Sequence, residues 1–334
     1  MLAEKLPART PRNTAKRLLK PLLTWDAVLV LAVVLVAIAG TALIDGAGTP
    51  RFWRFVTLDA IPIALIALPL TLIVITGEID LSVASVLGLS CAVVGELYSS
   101  GVTSLPLLVG VAIVLGAILG AVNGVFVTGF GLPSLAVTIG TLALYRGIAY
   151  VVLGDRAISG YPLDWTKNAV APIPGTVIPW FVLVVAALAI VAAVVLHATP
   201  IGRGLYAIGN NVEASAFSGV KVNRLKFWLF TVTGATAALA GVYWTLRYAS
   251  ARADNGSGLE LSVVAAVLLG GVSIFGGRGR LLGVVAAVVL LVVVRNSLQL
   301  AFVPENTLTI VTGTLLVLSV VAPNAARILK GQST

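Results

Sequence analysis

The sequence predicts an all-α integral membrane protein of about ten transmembrane helices, and three observations carry that expectation. Hydrophobic residues fill 59% of the 334 positions, charged residues only 10%, and the mean hydropathy is +1.06; soluble domains carry about 25% charged residues. The apolar runs, such as "VLVLAVVLVAIAGTALI", are continuous, whereas transmembrane strands alternate polar and apolar positions. The polar stretches between runs are too short for a separate soluble domain.

In chain order, residues 1–26 form a basic segment with Lys5, Arg9, Arg12, Lys16, Arg17 and Lys20. It imitates a signal peptide, but the run Ala27–Ile44 is long and no small-residue cleavage site follows it. The expected spans are 27–45, 57–76, 81–98, 105–128, 134–153, 177–197, 227–246, 259–275, 281–298 and 307–323, forming one transmembrane domain over 27–323. The third span opens on "IDLSV" and holds the single Cys91, whose expected role is packing; one cysteine allows no intramolecular disulfide. The fourth carries Gly116, Gly120 and Gly124 on one face, a pattern that permits close helix approach. The fifth contains Arg146, which costs roughly 2.5–3.5 kcal/mol in lipid and must face a polar interior or reach outward. Residues 154–176 form a loop with three prolines, either a partner dock or a plain connector. The sixth span ends at His197, the only histidine, followed by a polar loop at 198–226. The eighth opens on "LELSV" and runs into the glycine-rich "LLGGVSIFGGRGRLLG", which reads as a tight turn. A basic tail at 324–334 closes the chain.

If the basic N-terminus is cytoplasmic, ten spans return the C-terminus to the same side, and most of the 22 Lys and Arg fall there. The positive-inside tendency supports that orientation and explains the net charge of +9 without nucleic acid.

"IDLSV" at 79–83 and "LELSV" at 259–263, Asn123-Gly124 and Asn296-Ser297, and the two "GTL" strings at 140 and 313 recur in the same order. The two series begin on opposite faces of the membrane, which predicts an inverted-topology repeat of spans 2–5 and 7–10.

Several chemistries find no residues. There is no G-x-x-x-x-G-K-[ST], so ATP hydrolysis requires another chain. Gly202-Arg203-Gly204-Leu205-Tyr206-Ala207 satisfies a dinucleotide pattern but follows an apolar span instead of a strand. Asn255-Gly256-Ser257 is a sequon better explained as a turn. One histidine supports neither metal clusters nor Ser-His-Asp catalysis, so the chain reads as non-catalytic, with no cofactor of its own. Asp59, Asp80, Glu96 and Glu260 lie near span ends, which disfavours proton coupling. The candidates for lining a solute pathway are Asn123, Thr138, Arg146, Asn296 and Gln299, amides and hydroxyls suited to a neutral polyol, with one guanidinium.

In "NNVEASAFSG", Asn210 can cap a short helix with Glu213 as its third residue, and Gly219 suits the left-handed position past its end. A helix over 211–218 is about 12 Å long and must lie at the membrane surface. Val212, Ala216 and Val220, with Phe217 beside them, offer an apolar face to the protein's own helices or to a partner.

These residues also carry a family resemblance. "GRGLYAIGNNVEASAFSGVKVNRLK", "ITGEIDLSVASVLGLS", "NGVFVTGFGLPSLAVTIGTLALYRGIAYV" and "GLELSVVAAVLLGGVSIFGGRGRLLG" resemble the membrane subunits of bacterial ABC importers for monosaccharides, the ribose, xylose, rhamnose and autoinducer-2 permease group, from about 50 to 323. The resemblance implies a permease in the inner membrane that pairs with a second permease copy or a paralogue. Two cytoplasmic ATPase subunits holding ATP and Mg drive it, and a periplasmic or lipid-anchored sugar-binding protein delivers the solute. It further implies that Gly209–Gly219 is the coupling helix, with Asn211, Glu213, Ala214, Ser218 and Gly219 at its ATPase-facing positions. Two departures are Ser215 where many members have Ala, and Glu78 where many have Gly. An ion-coupled secondary carrier and a non-transporting scaffold are the alternatives the residues alone leave open.

Overall fold

The computed structural model describes residues 25–304 and the helical positions 306–311, 313, 314, 317 and 321. The basic segment before residue 25 and the tail from 322 lie outside the described residues, as does part of the tenth expected span. The helices are α1 (Trp25–Leu43), α2 (Pro50–Ile75), α3 (Val83–Ser99), α4 (Leu105–Thr128), α5 (Ser134–Leu153), α6 (Leu163–Ala169), α7 (Val182–Ala198), α8 (Pro200–Asn210), α9 (Val212–Phe217), α10 (Val222–Tyr248), α11 (Leu259–Leu269) and α12 (Leu281–Leu300). Among the described residues β-structure is limited to two isolated bridges, Ile158 with Ala251 and Pro172 with Pro179.

Six of these helices, α1, α2, α4, α5, α10 and α12, are long and apolar enough to cross a membrane; α7 with α8, bent by 72° at Thr199, makes a seventh if the pair is one span. Two of the expected spans are short helices in the structure. The third expected span is the 17-residue α3 and the eighth is the 11-residue α11. The reason is local: α11 stops at Gly270 and Gly271, the latter at φ +85°, and the glycine-rich stretch after it forms a turn instead of another helical turn. Such short helices are tolerated at membrane depth when protein covers their ends.

α2 is the central helix, buried along most of its length. Thr49 caps its start by accepting the Phe52 N–H, and Pro50 takes the first helical position, where no donor is needed. Pro62 and Pro69 lie inside it. Pro62 cannot donate to the carbonyl of Leu58, and the buried Tyr243 hydroxyl of α10 donates to that carbonyl at 3.2 Å instead. The proline thus turns a lost helical bond into a fastening between α2 and α10.

α10 packs on α2, α3 and α4, while α2 packs on α10, α11 and α12. The α4 glycines expected to permit close approach do so: a Cβ on Gly116 would stand 2.3 Å from the Gly234 carbonyl oxygen, and one on Gly120 2.2 Å from that of Phe230. On the α3 side, Cys91 is buried and its Sγ donates to the Gly241 carbonyl at 3.2 Å, in keeping with a packing role. By contrast, α1, α4, α5 and α7 leave long apolar faces uncovered, as spans turned toward lipid or a partner helix do.

Candidate functional site

Two features stand out on this scaffold, a short surface helix at the break after α8 and a cavity between α2, α10 and α12.

The surface helix begins one residue later than its capping pattern predicts. Asn211, not Asn210, is the cap: its side-chain oxygen accepts the Ala214 N–H at 2.9 Å. Asn210 ends α8 and donates to the Tyr206 carbonyl at 2.8 Å. Glu213 consequently sits at the second helical position, so the reciprocal cap does not form, although its charge still lies in the first turn. The other end follows expectation. Gly219 is left-handed at φ +84°, its N–H reaches the Ala216 carbonyl, and the Val220 N–H reaches that of Ser215, the paired bonds of a Schellman stop. Of the six residues only Ser215 is buried; Val212 and Phe217 are exposed, Phe217 at 93%.

The segment before it is pressed into the body of the protein. A Cβ on Gly209 would stand 2.0 Å from the Ile75 carbonyl oxygen at the end of α2 and 2.2 Å from the Gly277 nitrogen in the turn before α12. The Gly277 N–H donates to that same Ile75 carbonyl at 2.9 Å, and the Tyr206 hydroxyl donates to the Gly279 carbonyl at 2.8 Å. At the far end of the loop, Lys226 pairs with Glu78 in a largely buried ion pair, so the glutamate that departs from the resembling family has a partner at the start of α10.

The cavity has a volume of about 760 Å³ and lies at the opposite ends of α2 and α12. Its walls include Phe52, Phe55, Trp244 and Tyr248, with the rings of the last two 5.1 Å apart. Asp59 and Arg247 form an ion pair in its wall, with the Arg247 side chain 8% exposed and stacked 4.9 Å from the Tyr248 ring. Arg295, Asn296 and Gln299 line it from one face of α12. Asn296 is buried, and its side-chain nitrogen makes no hydrogen bond.

The five pathway candidates therefore divide between two places. Asn296 and Gln299 face the cavity. Asn123, Thr138 and Arg146 hold the helix starts of the two acid-Leu-Ser motifs. Asn123 donates to the Ser82 hydroxyl at 2.8 Å, and Thr138 to the Ile79 carbonyl at 3.3 Å. The Arg146 guanidinium donates to the carbonyls of Ala253, Asn255 and Ala84 at 2.6, 2.9 and 3.0 Å. In the turn before α3, Asp80 accepts both the Ser82 N–H and its hydroxyl, while burial pushes its carboxyl up to about 6. Asp59, Arg247 and the aromatic wall were not candidates in the sequence. Both charges stand near span ends on the same predicted face, which permits pairing without selecting it.

No group of three or more His, Cys, Asp or Glu able to hold a metal ion occurs among the described residues.

Comparison with known proteins adds the family. No solved structure gives a significant match. The chain is 34% identical over 273 residues to proteins named autoinducer 2 import system permease protein LsrD from Escherichia coli strain K12, Shigella flexneri and Escherichia coli O157:H7, covering 80% of this chain and 82% of each relative. Residues 54–320 match the family model described as branched-chain amino acid transport system / permease component. With that match over most of its length, and with its apolar helices long enough to span a membrane, the chain belongs to this family of membrane permease components.

Proposed function

We propose that the chain is the permease subunit of an ATP-driven ABC importer that carries a monosaccharide or sugar-like solute, such as autoinducer 2, rhamnose or a ribose-like pentose, across the bacterial inner membrane. The observation that carries the solute class is the near full-length kinship with autoinducer 2 import permeases. The chain itself is non-catalytic in this reading. ATP and Mg sit on a separate ATPase subunit, a second permease copy or paralogue completes the channel, and a sugar-binding protein outside the membrane hands over the solute.

On this reading residues 27–323 are one permease unit, with both termini cytoplasmic and the loop 198–226 facing the ATPase. Asn211, Glu213, Ala214, Ser218 and Gly219 make the coupling contact, supported by the exposure of α9 and its two firm caps. The pathway runs past Asn296 and Gln299, while Asn123, Thr138 and Arg146 hold the helices that shape it.

Ten membrane segments in an inverted repeat fit the same packing. If α2, α3 and α4 correspond to α10, α11 and α12, exchanging the two sets turns the α10–α4 and α10–α3 contacts into α2–α12 and α2–α11, and all four pairs are in contact. The two short apolar helices, α3 and α11, occupy matching places in the two halves.

The test is uptake. Glu213→Arg, or Gly219→Val at its left-handed position, should abolish import while the protein still inserts and co-purifies with its permease partner. Normal uptake in cells carrying both variants sinks the coupling role, and solute uptake by the isolated chain in liposomes without any ATPase would replace the ABC reading by a secondary carrier.

A further inference from the structure

We infer that the cavity between α2, α10 and α12 is a solute-binding station and that it takes a small polyhydroxylated molecule with adjacent hydroxyl groups. The inference rests on the import function above and deepens it by placing the solute at named residues. At about 760 Å³ the cavity falls within the range of roughly 300–1,000 Å³ typical of small-molecule sites.

Its chemistry narrows the class. The Asp59 carboxylate can only accept hydrogen bonds, the Arg247 guanidinium can only donate them, and the amides of Asn296 and Gln299 do both. A ligand that satisfies such a set must itself donate and accept at neighbouring atoms, as vicinal hydroxyls do. The Asn296 side-chain nitrogen is an independent indicator. Asn296 is only 9% exposed, lies in the cavity lining and leaves this donor without a partner, an arrangement that is costly unless a ligand supplies an acceptor once the helices part. Trp244 and Tyr248 offer ring faces for the C–H face of a sugar ring. A cationic solute is opposed by Arg51, Arg247 and Arg295 against the single Asp59, and an apolar solute would dry the ion pair without replacing its water.

The place of the cavity also gives binding a consequence. It is walled by the first turns of α2 and the last turns of α12, and the other end of α2 and the turn preceding α12 meet Gly209. A solute that changes the spacing of the two helices at the cavity therefore moves parts that touch the segment leading to α9.

The experiment is equilibrium binding of radiolabelled D-ribose, L-rhamnose and autoinducer 2, and of L-leucine, to the full permease complex in lipid nanodiscs. At least one of the three hydroxylated probes should saturate, and L-leucine should not. Asn296→Leu and Asp59→Asn should each weaken binding at least tenfold, and Gln299→Ala at least threefold with an unchanged melting temperature. Glu213→Arg should bind like the unaltered protein while failing to transport. Absence of binding by all three hydroxylated probes in a complex that still imports one of them overturns the station and leaves the import function standing. Binding that survives Asn296→Leu and Gln299→Ala, or saturation by L-leucine alone, overturns it as well.

Discussion

Arg146 illustrates how far one residue can be read. Its position inside an apolar run announces a cost in lipid, and the sequence therefore requires a polar destination. The destination itself is illegible, because the acceptors are backbone carbonyls of Ala84, Ala253 and Asn255, and every residue has a carbonyl. The room for the guanidinium comes from Gly88, where a Cβ would stand 2.2 Å from Arg146 Nη1. Arg146→Met should lower stability by about 2–4 kcal/mol, since charged hydrogen bonds are lost and buried carbonyls are left unpaired. Gly88→Ala should reproduce part of that loss without touching the charge; thermal unfolding of both variants in detergent is the measurement. Asp80 offers a pH signature. Its folded-state pKa of about 6 lies above the ordinary carboxylate value, so folding favours the protonated form. Stability should be fully retained below about pH 4, decline as pH rises from about 4 to 6, and level off above, by about 3 kcal/mol in total. Asp80→Asn should flatten that step in a pH series of melting temperatures.

At the scale of elements, helices whose ends are set by local chemistry were legible, and those set by tertiary contacts were not. The stop at Gly219 and the glycine face of α4 follow from residue type alone, because glycine takes the left-handed φ without strain and only glycine leaves room for the 2.2–2.3 Å approach. The cap of α9 slipped by one residue because two asparagines stand side by side, and only the packing of α8 decides which one remains helical. The 72° bend at Thr199 is likewise a tertiary outcome that a hydropathy window cannot see. The Glu78–Lys226 pair closes the loop 198–226 onto the turn before α3, joining residues that no local pattern connects. Lys226→Met alone should cost about 3–5 kcal/mol, because it strands a buried carboxylate, whereas Lys226→Met with Glu78→Gln should recover most of the loss. A double-mutant cycle of unfolding free energies checks this; purely additive effects would show that the two side chains do not interact.

For the molecule as a whole, α2 and α12 run from the cavity at one end to Gly209 at the other. α2 has 26 residues, about 39 Å at 1.5 Å per residue, so a small change of tilt suffices to relate the two ends. The contact at Gly209 is made by backbone on all sides: the Ile75 carbonyl, the Gly277 nitrogen and the bond between them leave no flexible side chain to give way. Gly209→Ala should therefore separate α8 from α2 and from the turn before α12, leaving the capped α9 intact but mechanically disconnected. The expected result is ATP hydrolysis by the assembled complex that no longer responds to solute, with uptake reduced at least tenfold. Gly204→Ala is the matched control on the same helix, since its nearest neighbours are side-chain carbons at 3.5 and 3.6 Å and its backbone is unstrained. If Gly209→Ala and Gly204→Ala transport equally well, the close contact is packing alone, and any motion relating the cavity to α9 must pass through α10, which packs on both α2 and α9.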